Sequence, residues 1–169
     1  MLQGFSCSDL VAFFVKYFED GAERQLVVCS AYLSYDSEDP PPSRELEELV
    51  QYCESENLIM GCYPNAHHAA WGSTNYNGRG EALMEFLNSS SLEILNRGNM
   101  PTFCSGNIQE VIDITLRSYR LLESTNGWEV SSEPSLSDYR YILFTLWGSV
   151  PVLLVRNQGA PIGAHFEGN

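Results

Sequence analysis

The sequence predicts an α/β domain with mixed sheets. Helical and strand-like segments alternate through the middle of the chain, whereas both ends are rich in strands with hairpin signals. The stretch from Asn57 to Gly80 adds a third observation. Its short apolar run, Leu58-Ile59-Met60, breaks at Gly61 into a loop carrying Asn65, His67, His68, Trp71, Asn75, Asn77 and Arg79. A buried strand that empties into such a loop is how an α/β protein presents a site at a strand end. A plain strand–loop–helix connection has the same general pattern, because loops are polar anyway.

Taken in order, Val11 to Phe18 is β-branched and aromatic and reads as a strand. Glu19-Asp20-Gly21 supplies a hairpin turn. Gln25 to Leu33 follows as a near-continuous apolar run, which predicts a central strand buried on both faces. Starting in a strand so close to Met1 suggests that something once preceded it. Pro40-Pro41-Pro42 punctuates the next loop, and Ser43 is placed to cap a helix over Arg44 to Glu56. Leu46, Leu49, Val50 and Cys53 share one face of that helix; Glu45, Glu47 and Glu48 favour its N-terminal dipole. The Glu-rich side is read as solvated surface. Leu58 to Cys62 is the strand that feeds the loop. Glu81 to Leu87 resumes helical spacing, with Asn88-Ser89-Ser90-Ser91 ending it.

Leu92 to Asn96 reads as a short strand, Gly98 as a turn and Val111 to Leu116 as a buried strand with Asp113 inside it. A lone carboxylate in an apolar strand costs several kcal/mol unless paired, so Asp113 is either partnered or a strand-end residue facing water. Trp128 to Val130 is a short strand, and Tyr139 to Trp147 the last long one. Residues 1–147 form the predicted domain; residues 148–169, rich in Gly, Pro and Asn, read as a loosely attached tail.

At 169 residues the chain is one domain or a piece of one, and 44% hydrophobic residues suffice for a real core. The formal charge is -13, with one lysine, Lys16. Tight, non-specific binding to a polyanion is therefore disfavoured, since neutralising phosphates needs clustered Lys and Arg. The five cysteines are odd in number, widely spaced and without a CxxC pair, which fits reduced thiols better than a disulfide framework or a zinc module. No apolar run is long enough to span a membrane, and the N-terminus lacks the pattern of a secretory signal. His67 and His68 could ligate a metal with Cys62, but adjacent side chains in an extended loop point apart and no second ligand pair stands at zinc spacing.

Several blocks carry a resemblance: Cys29-Ser30-Ala31-Tyr32-Leu33, Gly61-Cys62-x-x-Asn65-Ala66-His67-His68, Trp71-Gly72-Ser73, Arg79-Gly80, Asn96-Arg97-Gly98-Asn99-x-Pro101-Thr102-Phe103, Val111-Ile112-Asp113-Ile114-Thr115-Leu116, Trp128 and Ser137-Asp138. In this order they resemble the endonuclease/exonuclease/phosphatase superfamily, and within it the endonuclease domain of insect non-LTR retrotransposons. The resemblance runs from about Leu10 to Leu146. It implies a four-layer α/β sandwich with mixed sheets, incomplete here at the N-terminus, and metal-dependent hydrolysis of a DNA phosphodiester, with magnesium the usual ion. It places Tyr32 near the scissile phosphate, Asn65 on the phosphate, Asp113 as the orienter of a histidine, and Asp138 beside the metal. It also implies that His67, His68, Arg79 and Thr102 contact nucleic acid, with loop bracing a further role for the histidines.

Two departures fall on the chemistry. Tyr63 stands where the resemblance calls for the Asp that activates water, and Tyr139 where it calls for the His of a Ser-Asp-His motif. A phenol has a reference pKa of about 10, so it is neutral at neutral pH and neither a good base nor a magnesium ligand. The strand bearing the family's metal-binding Glu would also be missing. The expectation is a catalytically impaired, retroelement-derived domain. The rival readings are a non-catalytic binding module, with a protein partner as plausible as DNA, and a non-functional relic. Its place would be nuclear if it still serves DNA and cytoplasmic otherwise.

Overall fold

The computed structural model describes residues 7, 9–19, 21–36, 40–146, 150–155 and 163–166. Strands β1 (Leu10–Glu19) and β2 (Ala22–Tyr32) form the expected antiparallel hairpin, with Gly21 at the turn in the left-handed region, φ 78°. From β2 the chain crosses over through helix α1 (Arg44–Tyr52) to β3 (Asn57–Tyr63), which lies parallel to β2. A parallel neighbour requires such a crossover. Strand β7 (Ile114–Ser118) pairs antiparallel with β3, and β4 (Leu92–Ile94) with β7. The result is a mixed sheet of order β1-β2-β3-β7-β4.

A second sheet has the order β11-β10-β9-β8, from β8 (Thr125–Val130), β9 (Ile142–Leu146), β10 (Val150–Val155) and β11 (Gly163–Phe166). Backbone pairing thus carries parts of the segment expected as a tail from residue 148 into this sheet. A small hairpin, β5 (Phe103–Ser105) with β6 (Ile108–Glu110), stands apart from both.

The alternation of β2 explains the layers. Val27, Cys29 and Ala31 join a core with Leu46 and Leu49 of α1 and with Leu83 and Leu87 of helix α2 (Gly78–Ser89). Leu26 and Val28 point the other way, into a second core with Ile142, Phe144 and Leu146 of β9. The near-continuous apolar run of β2 is therefore buried on both faces, as expected. Among the described residues both α-helices lie on the same face of the first sheet, and the second sheet covers the other. This is an α/β sandwich in which the first sheet is mixed and the second is paired antiparallel throughout its described strands. Trp128 Nε1 donates to Thr115 Oγ1 at 3.0 Å between the sheets. Arg117, 5% exposed, pairs with Glu93 at 2.6 Å and donates to the Leu122 and Thr125 carbonyls.

Local chemistry sets the element ends. Ser43 Oγ accepts from the Leu46 amide, the capping role read from the sequence. The helix closes at Tyr52 rather than Glu56, because Cys53 caps it and the Glu56 amide turns back to the Cys53 carbonyl. Helix α2 begins at Gly78, three residues before the expected start, because Asn77 Oδ1 caps it through the Gly80 amide at 2.8 Å. The expected strand Val111–Leu116 starts only at Ile114, since the Ile112 and Asp113 amides donate to Thr102 Oγ1 instead of a strand ladder. The expected strand Tyr139–Trp147 starts at Ile142; Tyr139 makes only an isolated bridge to Phe103, and Trp147 lies outside the described residues. Likewise β4 ends at Ile94, and Asn96 continues the pairing with its side chain. Among the described residues no helix is long and apolar enough to cross a membrane.

Candidate functional site

The ends of β2 and β3 lie side by side because the strands are parallel and in register, Tyr32 opposite Tyr63. Their rings stack, with centroids 5.6 Å apart and planes 15° apart. Tyr32 is 39% exposed and Tyr63 half-buried. Immediately after Tyr63 the chain turns at Asn65, whose φ of 48° lies in the left-handed region that Asn tolerates better than most residues. Asn65 Nδ2 donates to the Leu33 carbonyl at 3.0 Å, tying the β3 loop to the β2 loop.

Arg79, from the first turn of α2, completes this tie. Its Nε donates to the Asn65 carbonyl at 3.0 Å. Its Nη2 lies 3.1 Å from the Leu33, 3.0 Å from the Ser34 and 3.3 Å from the Pro64 carbonyl oxygens. The guanidinium is thus a clamp on two loops, with its carbon 5.9 Å from the Tyr35 ring centroid. Gly80 lets α2 approach, because a Cβ there would collide with the His67 carbonyl.

The two histidines brace the loop. His68 Nδ1 accepts from the Ala70 amide at 3.0 Å, capping a short 3-10 turn over Ala69–Trp71, and its ring lies against Trp71 and Tyr76. His67 Nδ1 lies 2.9 Å from Ser73 Oγ, which donates to Glu110 Oε1 at 2.9 Å. With the hydroxyl proton directed at the carboxylate, the Ser73 oxygen accepts from the Nδ1–H of His67. Glu110 also accepts from Thr74 N, Thr74 Oγ1 and Val111 N at 3.0, 2.6 and 3.1 Å. Burial pushes the Glu110 carboxyl upward, but the hydrogen bonds from Thr74, Ser73 and Val111 outweigh it and hold the pKa below the ordinary value.

A second group gathers around Thr102, which is fully buried. Its hydroxyl oxygen accepts from the Asp113 amide at 3.2 Å, and its carbonyl accepts from Arg140 N at 2.8 Å. Thr102 therefore brings the Asp113 backbone to the segment bearing Asp138 and Tyr139. Asp113 is 6% exposed at the entry to β7, and Asn96 Nδ2 holds its carbonyl at 3.0 Å. Asp138 is half-buried and its carbonyl accepts from Cys104 N at 2.7 Å. The Tyr139 ring meets Phe103 edge to face at 5.1 Å. Glu110 joins the two groups: it pairs in register with Phe103, accepts the Thr102 amide on its carbonyl, and reaches the His67 loop with its side chain.

Thus Tyr32, Tyr63, Asn65 and Arg79 come together at one pair of strand ends, and Thr102, Asp113, Asp138 and Tyr139 form a neighbouring group. Glu110 was not singled out in the sequence, and Ser73, Asn77 and Asn96, though part of its motifs, carried no individual role there. The Gly106-Asn107 pair between Phe103-Cys104-Ser105 and Ile108-Gln109-Glu110 was a legible hairpin signal for the strand that carries Glu110.

Residues 26–143 match the family described as Endonuclease-reverse transcriptase. Among solved structures, the chain is similar to the endonuclease domain of TRAS1, a telomere-specific non-LTR retrotransposon, at 27% identity and a TM-score of 0.68, covering 82% of this chain and 63% of that one. The chain thus spans under two thirds of that domain's length. The Xenopus laevis APE2 catalytic domain shares the fold at 14% identity and a TM-score of 0.51, over 81% of this chain and 55% of that one. No curated protein sequence matches.

Proposed function

Because the chain belongs to the endonuclease/exonuclease/phosphatase superfamily, in its Endonuclease-reverse transcriptase family, we propose that this retroelement endonuclease-like domain keeps a scaffold for engaging DNA but hydrolyses phosphodiesters poorly. The carrying observation is the Tyr32–Tyr63 stack. The position inherited as the water-activating carboxylate bears a neutral ring committed to another ring. In-line attack at phosphorus needs a base for water and positive charge or donors for the developing negative charge. A phenol is a poor base near neutral pH. Tyr139, packed on Phe103, offers a phenol in place of an imidazole.

Members of this family generally depend on a divalent metal, and magnesium asks for several oxygen ligands in octahedral geometry. Among the described residues no three of His, Cys, Asp and Glu converge to hold an ion. Magnesium keeps several waters, however, and needs only one or two protein carboxylates beside substrate phosphates. Asp138, which the resemblance places beside the metal and which Thr102 brings near the Asp113 backbone, would be its carboxylate ligand, and the ion would supply positive charge to the phosphate.

What these residues do is position. Arg79 and Asn65 fix the strand ends, Thr102 and Asn96 fix Asp113, and Glu110 fixes the His67 loop. The net charge of -13 makes binding to duplex DNA weak and dependent on local contacts. Plasmid nicking with magnesium tests the reading. Nicking no faster than in a chelator control is expected; metal-dependent nicking above that control overturns the claim of impairment.

A further inference from the structure

At the C-terminal end of β2 the wall of a cavity of about 290 Å³ includes Tyr32, Asp9, Glu45 and Arg79. Leu10, Leu33, Pro40 and Pro41 supply apolar wall. Tyr63 stacks on Tyr32 but does not line the cavity. The cavity wall thus combines a tyrosine braced by a second ring with two acidic residues.

The wall selects its guest by chemistry. Asp9 and Glu45 make the wall unfavourable to a phosphate, and Leu10, Leu33, Pro40 and Pro41 make it unfavourable to a strongly hydrated cation. A neutral flat ring carrying N–H donors meets neither penalty: it stacks on the tyrosine and donates to a carboxylate, as cytosine N4 does to Asp or Glu. The volume suits one small ring system rather than a length of chain. Resting on the family reading above, we propose that this cavity takes one unpaired nucleobase bearing an exocyclic amine, stacked on Tyr32 and hydrogen-bonded to Asp9 or Glu45. Base stacking needs no basic surface, so it suits a chain this acidic.

The test is equilibrium titration of the whole chain with short oligodeoxycytidine, oligothymidine and blunt duplex DNA by fluorescence anisotropy, and with free cytidine by calorimetry. Oligodeoxycytidine is expected to bind more tightly than oligothymidine, with little change between about 50 and 200 mM salt. Tyr32→Leu is expected to weaken it about tenfold, within the range for loss of one stacked base, while Tyr32→Phe retains affinity. The double variant Asp9→Ala/Glu45→Ala is expected to erase the preference over oligothymidine. Thermal melts of each variant confirm that it is folded. Binding of free cytidine assigns the site to a nucleoside, and binding of the strand alone to a base within a chain; either supports the proposal. No binding of any cytosine ligand, a steep salt dependence, or a folded Tyr32→Leu that binds unchanged overturns it. Duplex binding that ignores Tyr32 would leave the family reading standing while this site falls.

Discussion

Arg79 and Asn65 converge on one acceptor: Arg79 Nη2 and Asn65 Nδ2 both lie within hydrogen-bonding distance of the Leu33 carbonyl, at 3.1 and 3.0 Å. Arg79 Nε also holds the Asn65 carbonyl. The ends of β2 and β3 are thereby locked to each other and to α2. The stack of Tyr32 on Tyr63 is built on that lock.

Replacing Arg79 removes a charged donor from four carbonyls. Hydrogen bonds to charged groups contribute about 1.5–3 kcal/mol, so Arg79→Ala is expected to lower stability by about 2–3 kcal/mol. Arg79→Lys should recover only part of this, because an ammonium cannot reproduce the planar fork. Urea denaturation of the three proteins checks the order; an Arg79→Ala chain as stable as the parent would remove the clamp from the account.

The approach of α2 to the histidine loop depends on Gly80. A Cβ there meets backbone rather than a yielding side chain. Gly80→Ala is expected to destabilise by about 1–3 kcal/mol, the range for overpacking a well-packed contact. An unshifted thermal midpoint would show that the loop yields.

Thr102 should depend on its hydroxyl and not on its shape. Thr102→Val leaves the Ile112 and Asp113 amides without their acceptor, at a cost of about 1–3 kcal/mol. Thr102→Ser should recover most of it. Equal melting of the Val and Ser variants would contradict this assignment.

Glu110 gives a pH signature. Its folded pKa lies below the ordinary value of 4.5, so its stabilising contribution is present above that value and is lost as pH falls through the lower folded pKa. The stability difference between the parent and Glu110→Gln should therefore be full near neutral pH and shrink below about pH 4.5. Denaturation midpoints measured across that range check the sign; a difference that grows on acidification would refute it.

Much of the fold was legible because burial writes itself into pattern. The apolar run of β2 announced a strand covered on both faces, and Ser43 with Leu46, Leu49 and Val50 announced α1. What escaped depends on side chains bonding to backbone across long sequence distances, as Thr102 does with Asp113, Arg79 with Leu33 and Glu110 with Thr74. Strand periodicity carried the expected strand back through Asp113, where Thr102 had taken over the amides. The same habit extended the last strand back to Tyr139, which is engaged with Phe103. The candidate site residues were named by resemblance alone, since nothing in composition or spacing distinguishes Tyr63 from any other strand-end tyrosine.

The central claim is that tyrosines at positions 63 and 139, where the resemblance calls for an Asp and a His, limit hydrolysis on this scaffold. Its most direct test is the ratio of magnesium-dependent plasmid nicking rates between Tyr63→Asp/Tyr139→His and the unchanged chain, each measured against a chelator control. Restoring a base alone typically changes the rate by about 10²–10⁴, so the account predicts a ratio of about 10² or more. A folded double variant no faster than the parent would contradict it.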